Sequence, residues 1–174
     1  PRSSSAASDV YKRQIDGAAL FDAAGYSVAL SSDGFTVAVG AHYHDSYKGH
    51  VRVYQFDGIW NQLGSDIDGQ EYDVSGRKVS LSSDGSIIAI SAVNHDSAKG
   101  TVRVYQFDGI WKQRGGDIDG EAASDYSGSD VALSSDGSIV AIGADRNDDG
   151  GVDSVHVRVY PVSYTHLTLP TKNE

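Results

Sequence analysis

This chain of 174 residues carries 24 acidic side chains against 14 basic ones, a net charge of −10, and contains neither cysteine nor methionine. So acidic a surface repels phosphate backbones and excludes nucleic acid as a partner, and without cysteine there is no disulfide and no thiolate chemistry. No apolar run approaches the ~20 residues a membrane-crossing helix needs.

In chain order, the dominant feature is repetition. Ile-Asp-Gly stands at 15–17, 67–69 and 118–120; Leu-Ser-Ser-Asp-Gly at 30–34, 81–85 and 133–137; Val-Arg-Val-Tyr at 51–54, 102–105 and 157–160. A period of about 51 residues marks a supersecondary unit that cannot bury its own apolar face and stacks on copies of itself. The first unit reads Ser27-Val28-Ala29-Leu30, an Asp-Gly turn, Val37 to Ala41, a loop rich in histidine (His42, His44, Asp45, His50), then Val51 to Tyr54 and Trp60 to Leu63.

The second unit repeats this pattern. Val79-Ser80-Leu81 alternates, Asp84-Gly85 makes a hairpin turn in which glycine accepts a positive φ, and Ile87 to Ile90 is a continuous apolar strand. A polar loop, Asn94 to Gly100, precedes Val102 to Phe107, whose strict alternation marks one buried and one wet face. After Asp108-Gly109, Trp111 to Arg114 is a polar strand suited to a sheet edge. The third unit follows the same order to Tyr160, with a three-residue insertion in its second loop. The region has no helical period and no proline. The predicted fold is therefore all-β: about three four-stranded antiparallel blades of a partial β-propeller, residues 15–160.

The flanks, 1–14 and 161–174, lie outside the pattern and are read as non-native or disordered tails. Both resemble translated sequencing-adapter sequence, of the kind found at the ends of reading frames assembled from metagenomic reads. The tails contribute +2 and 0, so the repeat region itself carries −12. With no methionine anywhere, the chain is expected to be an internal fragment of a longer protein.

The run Gly25 to Leu30, then Val37 to Ala41, then Gly49 to Tyr54 resembles the FG-GAP repeat of integrin-alpha-type propellers. His42 stands where that family has proline, and Ser91-Ala92-Val93 replaces its Gly-Ala-Pro. The resemblance implies a propeller outside the cell or at its surface, binding and adhesion rather than catalysis, and calcium in acidic loops.

Comparing the copies separates scaffold from site. Trp60 and Trp111, the three tyrosines Tyr54, Tyr105 and Tyr160, and the three arginines Arg52, Arg103 and Arg158 recur at one place each; they are expected to be packing anchors and a structural ladder of ion pairs. Unit-specific charge in the strands is confined to Lys78 and Asp130. The differences concentrate in 42–50, 93–101 and 145–156, and in 18–25, 70–76 and 121–128. In an up-and-down sheet these connections share one face, which is where a repeat protein presents its binding surface. Protein or glycan is the expected ligand, and further blades or self-association the expected neighbour.

One loop has metal spacing: Asp145, Asn147, Asp149, the carbonyl of Gly151, and Asp153 place oxygens at positions 1, 3, 5, 7 and 9 around Gly150, as calcium requires. Position 12 holds His156 rather than glutamate. His42 and His44 could share a transition metal in an extended segment. No nucleophile elbow, phosphate loop or zinc-hydrolase motif is present. Two alternatives stay open at this point: part of a carbohydrate-active propeller enzyme, hydrolase or lyase, and an intracellular Kelch-like scaffold.

Overall fold

A computed structural model describes residues 14–146 and 156–162. They form three antiparallel sheets that follow the repeats. The first contains β1 (Ser27–Leu30), β2 (Thr36–Ala41), β3 (His50–Phe56), β4 (Trp60–Gln62) and β5 (Ile67–Asp68). The second contains β6 (Ser75–Leu81), β7 (Ile87–Ala92), β8 (Thr101–Phe107), β9 (Trp111–Gln113) and β10 (Ile118–Asp119). The third contains β11 (Ser127–Leu133), β12 (Ile139–Ala144) and β13 (His156–Pro161).

Each sheet is an up-and-down meander, β1-β2-β3-β4 in the first. The fourth strand is in two pieces: β4 pairs with the end of β3, and β5 with its beginning. Gly64, at φ +77°, bends the chain between them, and Gly115 at φ +84° does the same between β9 and β10. The first two sheets are thus blades whose outer strand is broken, the third has three strands among the described residues, and the expected all-β, partial-propeller architecture is what the chain forms.

Strand alternation fills the gaps between blades. Ala38, Val51, Val53 and Ile67 of the first blade meet Val79, Ile88 and Ile90 of the second. Ile87, Ala89, Val102 and Val104, on the opposite face of the second blade, meet Val131, Val140 and Ile142 of the third. Every apolar strand residue of the middle blade therefore has a neighbour, and β7 is buried at all six positions.

The innermost strands are also joined by polar contacts. Val79 N–H donates to Ser27 Oγ at 3.0 Å and Leu133 N–H to Ser80 Oγ at 3.0 Å. Lys78 lies 3.8 Å from Asp130, so the two strand charges peculiar to their units face each other across a blade boundary. Trp111 donates its indole N–H to the carbonyl of Leu63 at 2.7 Å, which makes it the packing anchor expected.

Beyond Tyr160 the strand continues. Pro161 pairs with Ile139, and Val162, buried, donates to Ser138 O at 2.8 Å. Pro161 and Val162 thus occupy the places of Gln106 and Phe107, where Phe107 N–H meets Ser86 O.

Candidate functional site

The loops between second and third strands and the connections from one unit to the next do share a face. Val74 N–H donates to Tyr47 O at 2.8 Å and Ser75 N–H to Lys48 O at 3.1 Å; Tyr126 and Ser127 bond Ala98 and Lys99 in the same way. The Leu-Ser-Ser-Asp-Gly turns lie at the opposite end, joined blade to blade by Ser32 N–H to Ser83 O and Ser83 N–H to Ser135 O, at 2.9 and 2.8 Å.

The loop face has a frame that recurs. An aspartate, Asp22, Asp73 or Asp125, is buried in every unit between two residues of left-handed backbone: Phe21 and Ala23, Tyr72 and Val74, Ser124 and Tyr126. Its carboxylate accepts a backbone N–H from three residues upstream, Ala19, Gln70 or Ala122, closing a tight turn. In the first two units it also faces a histidine: His44 Nδ1 is 3.0 Å from Asp22, and His95 Nδ1 is 2.8 Å from Asp73.

Those histidines open helix-type turns, His44–Tyr47 and His95–Ala98, that are not right-handed. Asp45, Ser46 and Tyr47 have φ of 47°, 54° and 72°; Asp96, Ser97 and Ala98 repeat this at 47°, 59° and 62°. Three successive non-glycine residues in that region cost roughly 1–2 kcal/mol each. The turn is held by Gly49 N–H to His44 O at 2.9 Å, by the histidine–aspartate contact, and by the next segment bonding over it. The sequence signal is His-Asp-Ser-x-Lys-Gly at 44–49 and 95–100, shared by two loops that otherwise differ and so hidden by reading them as variable.

The arginine ladder lies beneath. Arg52 pairs both ends of its guanidinium with Asp66, at 2.9 and 2.7 Å. Arg103 is more deeply buried and bridges two carboxylates, Asp73 at 2.7 Å and Asp117 at 2.8 Å. Arg158 pairs with Glu121. Burial alone would raise the Asp73 carboxyl, yet hydrogen bonds from Arg103, His95 and Gln70 N–H hold it below the ordinary carboxylate value.

Unit-specific groups sit on this frame. Tyr26 packs on His42 with ring centroids 4.1 Å apart, His42 on Tyr43 at 4.0 Å, and Tyr43 meets Tyr47 edge-on at 5.1 Å. His42 is buried, while the three tyrosines are about half exposed; Phe21 and Tyr72 are also exposed on this face. At the matching places the second unit has Arg77, Val93, Asn94 and Ala98, so the aromatic stack belongs to the first unit alone.

The histidines of the first loop are not placed to share a metal. His42 and His44 do not converge: His42 is taken into the aromatic stack, and His44 turns toward Asp22 and His50, whose ring lies 4.0 Å from its own. Instead, His50, Asp66 and Asp68 bring donor atoms within 4.8 Å of one another, as do His95, Asp117 and Asp119. His50 Nδ1 is buried without a hydrogen-bond partner, and burial, reinforced by His44 and Arg52, keeps its ring neutral below the ordinary histidine value. The Arg52 guanidinium already occupies both Asp66 oxygens, which opposes a cation there. Of the calcium set, Asp145 is exposed in the turn after β12; Asn147, Asp149, Gly151 and Asp153 lie outside the described residues.

No protein-family model matches the chain, and no curated protein sequence is similar to it. Among solved structures it is similar to TolB from Acinetobacter baumannii, at 15% identity and a TM-score of 0.46, over 82% of this chain and 30% of that one. It is also similar to a candidate 6-phosphogluconolactonase from Bacteroides uniformis, at 20% identity and a TM-score of 0.45, over 78% of this chain and 40% of that one. The chain thus spans less than half the length of either protein, and nothing about ligand or activity transfers from them. Among the described residues, no helix is long and apolar enough to cross a membrane.

Proposed function

We propose that this chain is a non-enzymatic recognition module of FG-GAP type, acting outside the cell or at its surface, whose loop face binds a protein or glycan partner. The observation that carries this reading is the stack Tyr26–His42–Tyr43–Tyr47, which one unit has and its neighbour lacks. Scaffold residues repeat; these do not. Tyrosines half exposed and fixed by their neighbours give large contact area at little entropic cost, with a hydroxyl left to orient a polar ligand. The left-handed turn beneath holds Tyr47 in a conformation that the buried Asp22–His44 contact supports.

In this reading calcium is held by Asp145, Asn147, Asp149, the Gly151 carbonyl and Asp153. These donors would all be oxygens, with Gly150 at the motif position where a calcium loop needs a sharp turn, and the ion would stiffen the longest of these connections in the sequence. The family likeness supports calcium only in kind, since the integrin-type loop precedes the Gly-Ala-Pro strand and this one follows it.

The test replaces stack residues by what the second unit carries at the same places. Tyr43→Asn with Tyr47→Ala leaves the melting temperature within a few degrees. On arrays of glycans and extracellular proteins, it loses at least about tenfold in affinity for whatever the parent binds, the range expected for interface tyrosines. Binding that survives the double substitution unchanged removes the stack from the account.

A further inference from the structure

Among the described residues, the two end blades each leave most of one sheet face uncovered, with only Ile15 to Ala18 lying beside that of the first, and the middle of the molecule shows what covers each kind of face. On the first blade, Val28 and Leu30 are 62% and 59% exposed. Val79 and Val131, the counterparts of Val28, are 8% and 9% exposed, and Leu81 and Leu133, the counterparts of Leu30, are half-buried, because a preceding blade lies on them. On the third blade, Val157 and Val159 are 69% and 63% exposed, whereas their counterparts Val102 and Val104 are at 0% and 1% under a following blade.

We propose that a second copy of this chain docks head to tail, its first blade seated on the third blade of its partner by the same packing that joins blades within the chain. Residue types at the two faces match those of the internal interfaces: Val28, Leu30, Val37 and Val39 stand for Val79, Leu81, Ile88 and Ile90, and Ile139, Ala141, Val157 and Val159 for Ile87, Ala89, Val102 and Val104.

The serine ladder has the same polarity. Ser32 N–H donates to Ser83 O and Ser83 N–H to Ser135 O. The N–H of Ser135 at one end and the carbonyl of Ser32 at the other are left to form the next rung between copies. The two faces differ from one another, so the contact is heterologous. Two copies in this arrangement bring together six blades, within the four to eight that close a propeller ring, and closure removes every open face. Uncovered apolar faces of this kind are rare on stable monomers.

The experiment uses the full chain and two substitutions on surfaces that are exposed within one copy: Val28→Asp on the first blade and Val159→Asp on the third. The unmodified chain sediments at twice 18.4 kDa at micromolar concentration. Each variant alone is monomeric, with self-association weakened by about 100-fold or more because a charge is brought into an apolar contact. Mixed, the two give a one-to-one pair, since each still owns the face the other lacks.

Should the unmodified chain stay monomeric, should either variant still pair with itself, or should the mixture fail to pair, the proposal is overturned. Leu30→Lys and Val157→Lys repeat the test should either first variant lose its folded spectrum.

Discussion

At the residue scale, the same ladder position carries different weight in different units. Arg103 is 6% exposed and links Asp73 to Asp117, whereas Arg52 is less buried and pairs with Asp66 alone, Asp22 being held by His44 instead. Arg103→Met leaves two carboxylates without their cation and lowers stability by about 3–5 kcal/mol. Arg52→Met, at a half-buried position with one carboxylate partner, costs less, about 1–2 kcal/mol. Urea denaturation of the two variants reads the difference, and equal costs would contradict it.

Acid titration belongs to the same scale. Hydrogen bonds from Ser82 and from the Ser86 N–H hold Asp84 below its ordinary value, and the equivalent bonds from Ser134 and Ser138 take Asp136 down to about 2. Asp73 is lowered as well. A carboxyl lowered in the folded state contributes stability that is whole above its unfolded value of 3.8 and is lost as pH falls through the folded one. His42 is also lowered, by burial and then by Arg77, so the unfolded chain takes up its proton first and stability begins to fall below about pH 6.5. Melting temperature against pH should therefore be flat above 7, decline gently below 6.5, and drop steeply from 4 toward 2. His42→Val, the residue of the second unit, should shrink the first decline and leave the second.

At the scale of the element, the left-handed turns on the loop face are the part of the fold under strain. Gly100, at φ +79°, follows one of them, and a side chain there would meet the Ser127 carbonyl oxygen, 2.2 Å from where its Cβ would lie. Gly100→Ala should cost more than about 2 kcal/mol, since it pairs a disfavoured φ with a backbone collision. Ser97→Gly should act in the opposite sense, because glycine accepts φ near +59° without penalty; a gain of up to about 1 kcal/mol follows once the extra freedom of the unfolded chain is subtracted. A thermal melt of both variants checks the pair, and a stabilising Gly100→Ala would remove the account of this turn. Strain of this kind persists where surrounding contacts over-determine the backbone. Here these contacts are the histidine to the buried aspartate and the following segment bonded over the turn.

For the whole molecule, blade stacking is the source of stability, so a ligand that stiffens one blade is felt through its neighbours. If calcium occupies the third-unit loop, chelator should lower the melting temperature, calcium should restore it, and Asp149→Ala should abolish the difference. A melt indifferent to chelator takes calcium out of the account. The period, the hairpin turns and the alternation of Val102 to Phe107 were enough to read blades from the chain, because burial on one side of a strand writes itself as a period of two. By itself the sequence therefore determined the class of fold, the order of strands and the sharing of one face by the connecting loops.

Only the tertiary structure decided which residues meet across that order. Asp73, His95, Arg103 and Asp117 come from four separate segments, and no local spacing announces that one guanidinium will be buried between two carboxylates. The broken outer strand and the stack of His42 between Tyr26 and Tyr43 were hidden for the same reason. Each depends on contacts between residues distant in sequence or on backbone states that composition does not encode, and these are set when the blades close on one another.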